Sequence, residues 1–429
     1  MIIRASMNQA LPLLLVSLWW NTSIPVHAAE IAQDAGIEFT LAEALAFAEA
    51  HQPALIAARL EVQAAESRVA QAAVRSNPGL TLEAENFGGK AENSGFDAAE
   101  YTATVEQTME FGGKRGKRIH AAKLERRLSD FDLETKRLDI QAETTRRFIA
   151  LQGARERLAL SEESVALAEE FVRQVAARVR GGKVAPMDED KAQILLSQQK
   201  LALDGSLREY QAARLQLSAM WGSVTSGFNR VEGMLLTLPA VPDVAALRPG
   251  MASNPDLGRW TTEVDHRKAV ISREKASRLP DMTMAGGIRL YPTSDSAAFV
   301  AGITIPLPVF DRNQGKVREA SILLDMANQQ RRAAEIKTFL ELTEAHQAVS
   351  AARHRIALLD QDIIPRAKSV FDAMQSGYVQ GKFSCLDVLD ARRTFLEARI
   401  QRLETLVSGH MALAGIQRAI GRRVSTVTN

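Results

Sequence analysis

The 429-residue sequence has one cysteine, few aromatic residues and almost no net charge. Because Cys385 is alone, an intramolecular disulfide is excluded. A net charge of +2 argues against nucleic-acid binding, which requires a concentrated basic surface. Beyond residue 20, no apolar run has the length of a transmembrane helix. Any membrane role of the later sequence must therefore use strands.

The N-terminal segment is typical of a secretory signal. Arg4 lies in a stretch without acids, and the apolar run from Leu11 to Trp20 is too short to span a membrane. Val26-His27-Ala28 resembles a cleavage site with small residues on either side of a larger one. We therefore expect a signal peptide over residues 1–28 and an exported protein.

The rest of the chain contains one unit twice. Three pairs of positions carry the repeat: Pro53 and Pro255, Phe111 and Phe310, and Gly182-Lys183 and Gly381-Lys382. The repeats cover residues 29–222 and 244–421, with a linker at 223–243 and a tail at 422–429. Repetition of this kind indicates that one unit cannot bury its apolar face alone.

Each repeat is predicted to contain an opening helix and a very long helical hairpin. The helices cover 41–75 and 244–277, and the hairpins cover 115–221 and 315–420, with a kink expected at Pro365. No proline occurs from Gly116 to Val179, and apolar residues recur there at intervals of seven: Leu151, Leu158, Val165, Val172 and Val179. This spacing predicts a coiled-coil seam, and a helix of roughly 64 residues is about 95 Å long.

Between the opening helix and the hairpin, each repeat changes to an alternating pattern. It predicts strands at 80–87 and 100–111, and at 281–291 and 298–308, each with one apolar and one mostly polar face. Strands of about 9–11 residues cross a bilayer when tilted. Four strands cannot close a barrel, so several chains would have to combine them. The alternative is two soluble β-hairpins packed on helices.

Two copies of helix, strand pair and long helical hairpin resemble the TolC-type outer-membrane efflux proteins. Two strand-to-helix junctions are similar to those of the CzcC-like branch, which serves heavy-metal efflux. The junctions run from Glu110 to Gly116 and from Ile305 to Gly315. Their sheet-breaking residues are Gly112, Gly113, Pro306, Pro308 and Gly315.

The resemblance implies an α+β membrane protein and a homotrimer. Four β-strands per chain contribute to a trimeric 12-stranded outer-membrane barrel, which a long α-helical barrel continues into the periplasm. The implied partners are a periplasmic adaptor protein, a proton-driven inner-membrane pump of the resistance-nodulation-division class, and outer-membrane lipid. No nucleic acid is expected.

The turns of the two hairpins, at Gly182 and Gly381, are the candidate gate. The resemblance implies that Tyr378 helps to hold the tip closed, and that Asp387 and Asp390 line the constriction. In a trimer these acids would form negatively charged rings that attract cations. Phe383 replaces the arginine of the family motif, and Asp188 and Asp190 are the acids of the first tip. The alternative is that the acids only complement helix dipoles.

No catalytic residue, cofactor or metal site is predicted, because the histidines are scattered. The expected function is a passive, gated duct for heavy-metal cations such as those of cobalt, zinc, cadmium or nickel. Two alternatives remain: the same duct serving drug or protein export, and a periplasmic adaptor or coiled-coil scaffold. An adaptor would contain one hairpin between small β domains, whereas this chain has two.

Overall fold

The structure is a computed structural model that describes residues 38–421, apart from positions 97, 229, 234 and 236. The predicted signal peptide and the 422–429 tail lie outside the described residues. The first repeat contains β1 (Glu38–Phe39), α1 (Leu41–His51), α2 (Pro53–Ala73), β2 (Gly79–Glu85), β3 (Glu100–Met109), α3 (Lys114–Arg180) and α4 (Pro186–Ser218). The linker carries β4 (Arg230–Val231). The second repeat contains α5 (Val244–Leu247), α6 (Pro255–Ala276), β5 (Met282–Tyr291), β6 (Ser296–Thr304), α7 (Gln314–Leu358), α8 (Ile364–Val379) and α9 (Cys385–Ile420).

Each opening helix differs from the single helix that the sequence predicts. The 41–75 segment is divided into α1 and α2 at Pro53, and a 3₁₀ turn divides 244–277 before Pro255. Both prolines stand at the first position of a helix, where their missing N–H needs no partner. The preceding Gln52 and Asn254 are extended, as the proline ring requires.

The four long strands form one antiparallel sheet in the order β2-β3-β5-β6. The β3–β5 pairing joins the two repeats, and Thr102 lies opposite Arg289. Along β3 the polar side chains are less exposed than the apolar ones: Thr102 is buried, whereas Tyr101 and Val105 are exposed. The sheet therefore has the two unlike faces that the alternating pattern predicts. Its strands are shorter than predicted, and β6 ends at Thr304 because Pro306 has no N–H to donate.

The polar face of the sheet carries an ion-pair network at one end. The Arg289 guanidinium lies 3.0 Å from a carboxylate oxygen of Glu85 and 3.0 Å from one of Glu100. It also donates to the Thr102 hydroxyl at 2.8 Å. The polar alternation thus places a bonded network across β2, β3 and β5.

The hairpins dominate the molecule in length. α3 contains 67 residues, which at 1.5 Å per residue span about 100 Å. In the second repeat the outgoing helix is interrupted between α7 and α8 by a π-helical turn, Leu359–Ile363, just before Pro365. This irregularity lies where the sequence predicts a kink. The return helix is α9. In the portion of the chain that the structure describes, no helix is both long and apolar enough to cross a membrane.

A belt of packed side chains surrounds α3 about halfway along its length. In this middle belt β1 pairs in parallel with β4, and the ring of Phe39 stacks on that of Phe228 at 5.1 Å between centroids. Trp221 and Leu151 are buried in the same cluster. The sequence gives no sign of the pairing of β1 with β4, because two-residue strands show no period.

Candidate functional site

Both hairpin tips end their outgoing helices with the same hydrogen-bond motif. At the first tip, the Lys183 amide donates to the Arg178 carbonyl at 2.9 Å, and Gly182 donates to Val179 at 2.9 Å. At the second, Lys382 donates to Gly377 at 2.8 Å. Gly182 and Gly381 both adopt positive φ, of 65° and 79°, which glycine tolerates best. The predicted turn glycines therefore fix how each helix ends.

Tyr378 lies in an apolar cluster that both hairpins build. Its side chain is 1% exposed and packs on Phe171 of α3, with ring centroids 5.6 Å apart. Burial raises the pKa of its phenol. Within the described chain the hydroxyl has no hydrogen-bond partner. Tyr378 thus joins α8 to α3 through packing rather than through its hydroxyl.

Arg178 also holds the two tips together, although no sequence pattern singles it out. Its guanidinium lies 4.7 Å from the centroid of the Tyr378 ring. Its Nη1 donates to the Val379 carbonyl at 2.8 Å and also to that of Tyr378. A cation is favourable at the C-terminal end of α8, where helix carbonyls lack partners. The only signal in the sequence was a basic residue in the last turn of the first hairpin's helix.

Phe383 occupies the position where the resemblance expects arginine. A Cβ atom on Gly377 would overlap its ring, so the ring packs directly over the α8–α9 turn. Arg178 therefore brings the charged group to this tip from the other repeat.

The acids of the second tip have different environments. The Asp387 carboxylate accepts from the Ser384 amide at 2.8 Å and from its hydroxyl at 2.7 Å, completing a capping box at the start of α9. The Ser384 hydroxyl is the main cause that lowers the pKa of Asp387. Asp390 is exposed and accepts from Arg393 at 3.0 Å. Asp387 thus has a structural role at the start of α9, and its carboxylate remains negatively charged in that role.

At the first tip, Asp188 lies beside the second hairpin while Asp190 is exposed. The Asp188 carboxylate is 3.2 Å from the Lys191 ammonium. Its backbone carbonyl lies 4.0 Å from the Cys385 sulfur. Burial raises the pKa of the Cys385 thiol to about 11, and the nearby negative charge of Asp188 is a smaller cause in the same direction. Cys385 is therefore a packing residue between the two hairpin tips.

A model described as "Outer membrane efflux protein" matches residues 45–223 and 250–422, which is most of the chain. The chain belongs to the outer membrane efflux protein family. The efflux protein is 33% identical over 402 residues to the Cobalt-zinc-cadmium resistance protein CzcC of Cupriavidus metallidurans, covering 94% of each chain. It is 27% identical to the Nickel-cobalt-cadmium resistance protein NccC of Alcaligenes xylosoxydans xylosoxydans, over 72% of this chain and 68% of that relative.

Solved structures share the fold of the efflux protein. The outer membrane protein VceC from Vibrio cholerae superposes with a TM-score of 0.75 at 19% identity, covering 89% of this chain and 96% of VceC. The family match and the similarity to CzcC show that the efflux protein is an outer-membrane channel subunit that extends into the periplasm. The predicted family, fold class and location are confirmed.

The strand-to-helix junctions of the efflux protein differ between the repeats. Gly112 and Gly113 both have positive φ, and Gly113 precedes the first residue of α3. In the second repeat Asn313, with φ of 55°, takes the corresponding place before α7. The sequence predicts that Gly315 ends the sheet pattern at this junction, but Gly315 lies inside the first turn of α7. Pro306 and Pro308 lie in the irregular segment between β6 and α7.

The described residues of the efflux protein contain no group of three or more His, Cys, Asp or Glu side chains arranged to hold a metal ion. The charged side chains of the tips instead pair with neighbours or face solvent. Such an arrangement suits the passage of a solute along a charged wall.

Proposed function

We propose that this efflux protein is the outer-membrane duct of a three-part system that exports heavy-metal cations of the cobalt, zinc, cadmium and nickel type. One observation supports the proposal most strongly: the similarity to CzcC extends over 402 residues, which is 94% of both chains. The cargo is inferred from the name of that relative.

The family consists of trimeric channels that act with an adaptor and an inner-membrane pump. For this chain we infer a homotrimer, a periplasmic adaptor and a proton-driven pump of the resistance-nodulation-division class. The four-stranded sheet supports the trimer: along the described chain, β2 and β6 each have one edge without a strand partner. Such edges are not stable in lipid. Three copies would supply twelve strands and close the barrel.

The gate of the duct is the pair of hairpin tips. Tyr378 and Arg178 hold α8 against α3, so their contacts favour the packed, closed arrangement. Opening requires the tip helices to separate, which breaks the two carbonyl hydrogen bonds of Arg178 and exposes the apolar cluster around Tyr378. The pump-linked adaptor supplies the interaction that offsets this cost.

The cargo assignment predicts a metal phenotype. Deleting the gene should lower the concentrations of cobalt, zinc, cadmium and nickel salts that stop growth of the parent bacterium, because the pump then lacks its exit. Growth inhibition by each metal measures the effect, and restoring the wild-type gene is the control. Unchanged metal tolerance together with increased sensitivity to drugs would instead identify a drug duct.

The acids of the second tip should set the charge preference of the duct. In the Asp387→Asn, Asp390→Asn double variant we expect the cation-to-anion permeability ratio to fall about threefold or more, because two charges per subunit leave the constriction. Reversal potentials of single trimers in planar bilayers under a salt gradient measure the ratio.

Ser384→Ala is the matched control for this variant. It removes the hydroxyl that completes the Asp387 capping box but keeps both negative charges. Its permeability ratio should remain that of the wild type. An equal fall in both variants would mean that the cap, and not the charge, determines the preference.

A further inference from the structure

The positive charge of the chain is concentrated where the strands meet the helices. Four segments meet in this junction belt: 74–78, 110–118, 273–281 and 309–319. Together they contain eleven Lys or Arg residues and five acids, an excess of six positive charges. The whole chain has a net charge of only +2, so the remainder carries four excess negative charges.

Most acids of the junction belt are already bonded within it. Glu110 pairs with Arg118 at 2.5 Å, and Asp281 pairs with Lys114 at 2.7 Å. Glu274 lies 2.9 Å from Arg273. The acids thus hold some of the basic side chains in place, and they do not neutralise the others.

Four exposed arginines of the belt have no ion-pair or side-chain hydrogen-bond partner in residues 38–421, leaving aside the four omitted positions. They are Arg75, Arg278, Arg312 and Arg318. A guanidinium group offers several N–H donors in one plane and binds phosphate with two parallel hydrogen bonds. The belt therefore presents unused phosphate-binding capacity in both repeats.

Large apolar side chains accompany these arginines. Phe310 is 90% exposed, and Phe111 occupies the corresponding position of the first repeat. Val74 precedes Arg75, and Leu279 follows Arg278; both are half exposed. Aromatic and aliphatic side chains next to cations are typical of the boundary between hydrocarbon and lipid headgroups. If only water surrounded the belt, the exposure of these apolar side chains would be unfavourable.

The position of the belt identifies the leaflet. The strands lie in the outer membrane and the helices extend into the periplasm, so the belt is level with the headgroups that face the periplasm. We propose that the junction belt binds the phosphate groups of anionic phospholipids in that leaflet, with the arginines on phosphate and the apolar residues among the acyl chains. The proposal rests on the trimeric duct but not on its cargo or its gate.

The test compares lipids on the purified trimer in a non-ionic detergent. Phosphatidylglycerol, phosphatidylcholine and inorganic phosphate are titrated in turn, and native mass spectrometry counts the bound molecules. Phosphatidylglycerol should bind most tightly. A cation near an anionic lipid surface contributes about 1 kcal/mol to the free energy of binding. Each lost arginine should therefore weaken the binding of phosphatidylglycerol about fivefold. For the Arg75→Gln, Arg278→Gln, Arg312→Gln variant we expect about a hundredfold loss.

The control variant removes three exposed arginines of α7 outside the belt: Arg332→Gln, Arg353→Gln and Arg355→Gln. Its affinity for phosphatidylglycerol should not change. Equal binding of phosphatidylglycerol and phosphatidylcholine, or tight binding of inorganic phosphate alone, would overturn the proposal. So would an unchanged affinity in the belt variant. If that variant forms no trimers, Arg312→Gln alone is titrated against Arg353→Gln.

This result is independent of the proposed cargo and of the proposed gate. A belt variant with weakened lipid binding should keep the cation preference of the wild type. Loss of cation preference with unchanged lipid binding would contradict the belt proposal, because the arginines would then face the channel. A failure of the metal phenotype would leave the lipid measurement unaffected.

Discussion

Replacing Arg178 by alanine is expected to shift the duct strongly toward its open state. The substitution removes two hydrogen bonds from a charged donor to the carbonyls of Tyr378 and Val379, and the contact of the guanidinium with the Tyr378 ring. Each hydrogen bond of this kind contributes about 1.5–3 kcal/mol, so the loss of two amounts to at least about 3 kcal/mol, and the lost cation–π contact adds to it. This corresponds to roughly a hundredfold change in the ratio of open to closed tips.

Single-channel conductance of trimers in planar bilayers measures the opening. Arg180→Ala is the matched control, since Arg180 is an exposed cation on the same last turn. The control should conduct like the wild type. Arg178→Lys should restore closure only in part, because an ammonium group cannot reproduce the planar contacts of guanidinium. Wild-type conductance in well-assembled Arg178→Ala trimers would remove Arg178 from the gate.

Cys385 provides a second measurement of the same opening. It is the only cysteine of the sequence, it is 2% exposed, and burial raises the pKa of its thiol to about 11. At about pH 8 only about one thiol in a thousand is then the reactive thiolate. Maleimide labelling should therefore be slow in the wild type and in Arg180→Ala. It should be much faster in Arg178→Ala, whose open tip exposes the sulfur.

Replacing Gly287 by alanine is expected to prevent stable assembly. A Cβ atom there would lie 2.7 Å from the Thr104 methyl carbon and 2.8 Å from its Cα, and would overlap the Ala103 carbonyl. Because backbone atoms form the obstacle, β3 and β5 must move apart, and this pairing joins the two repeats. Overpacking typically costs about 1–3 kcal/mol, and a trimer would incur it three times.

The preceding residue offers a close control. A Cβ atom on Gly286 has no neighbour within 4 Å, so Gly286→Ala should assemble normally. The measurement is the fraction of membrane-extracted protein that migrates as a heat-resistant oligomer on electrophoresis. Equal fractions for the two variants would show that the sheet adjusts around Gly287 without loss.

Sequence periodicity predicted the helices, the strands and their faces, because regular packing repeats at fixed intervals along the chain. It failed where a single residue determines the local backbone conformation. Pro53 and Pro255 divide helices that the apolar pattern treats as continuous. Asn313, rather than one of the predicted junction residues, supplies the left-handed turn before α7. Ser384 and Asp387, three residues apart, already had the spacing of a capping box.

The candidate gate was only partly predictable for a related reason. Tyr378 and the two acids were chosen through the resemblance to the TolC-type family. Arg178 contacts Tyr378 across two hundred positions, and such a contact depends on how α3 and α8 pack. Nothing in a local pattern distinguishes Arg178 from Arg180, although only one of them turns toward the second hairpin.

The middle belt also fixes where the two ends of the described chain lie. Glu38 pairs there with Arg230, and Gly421 lies against Ser253 and Asn254 close to the same level, beside Leu45 and Ala142. Both ends of the described chain are thus tethered to the side wall, far from the barrel mouth and from the hairpin tips. A reporter or an affinity handle attached at residue 38 or residue 421 would therefore start at the side of the duct rather than at either of its openings.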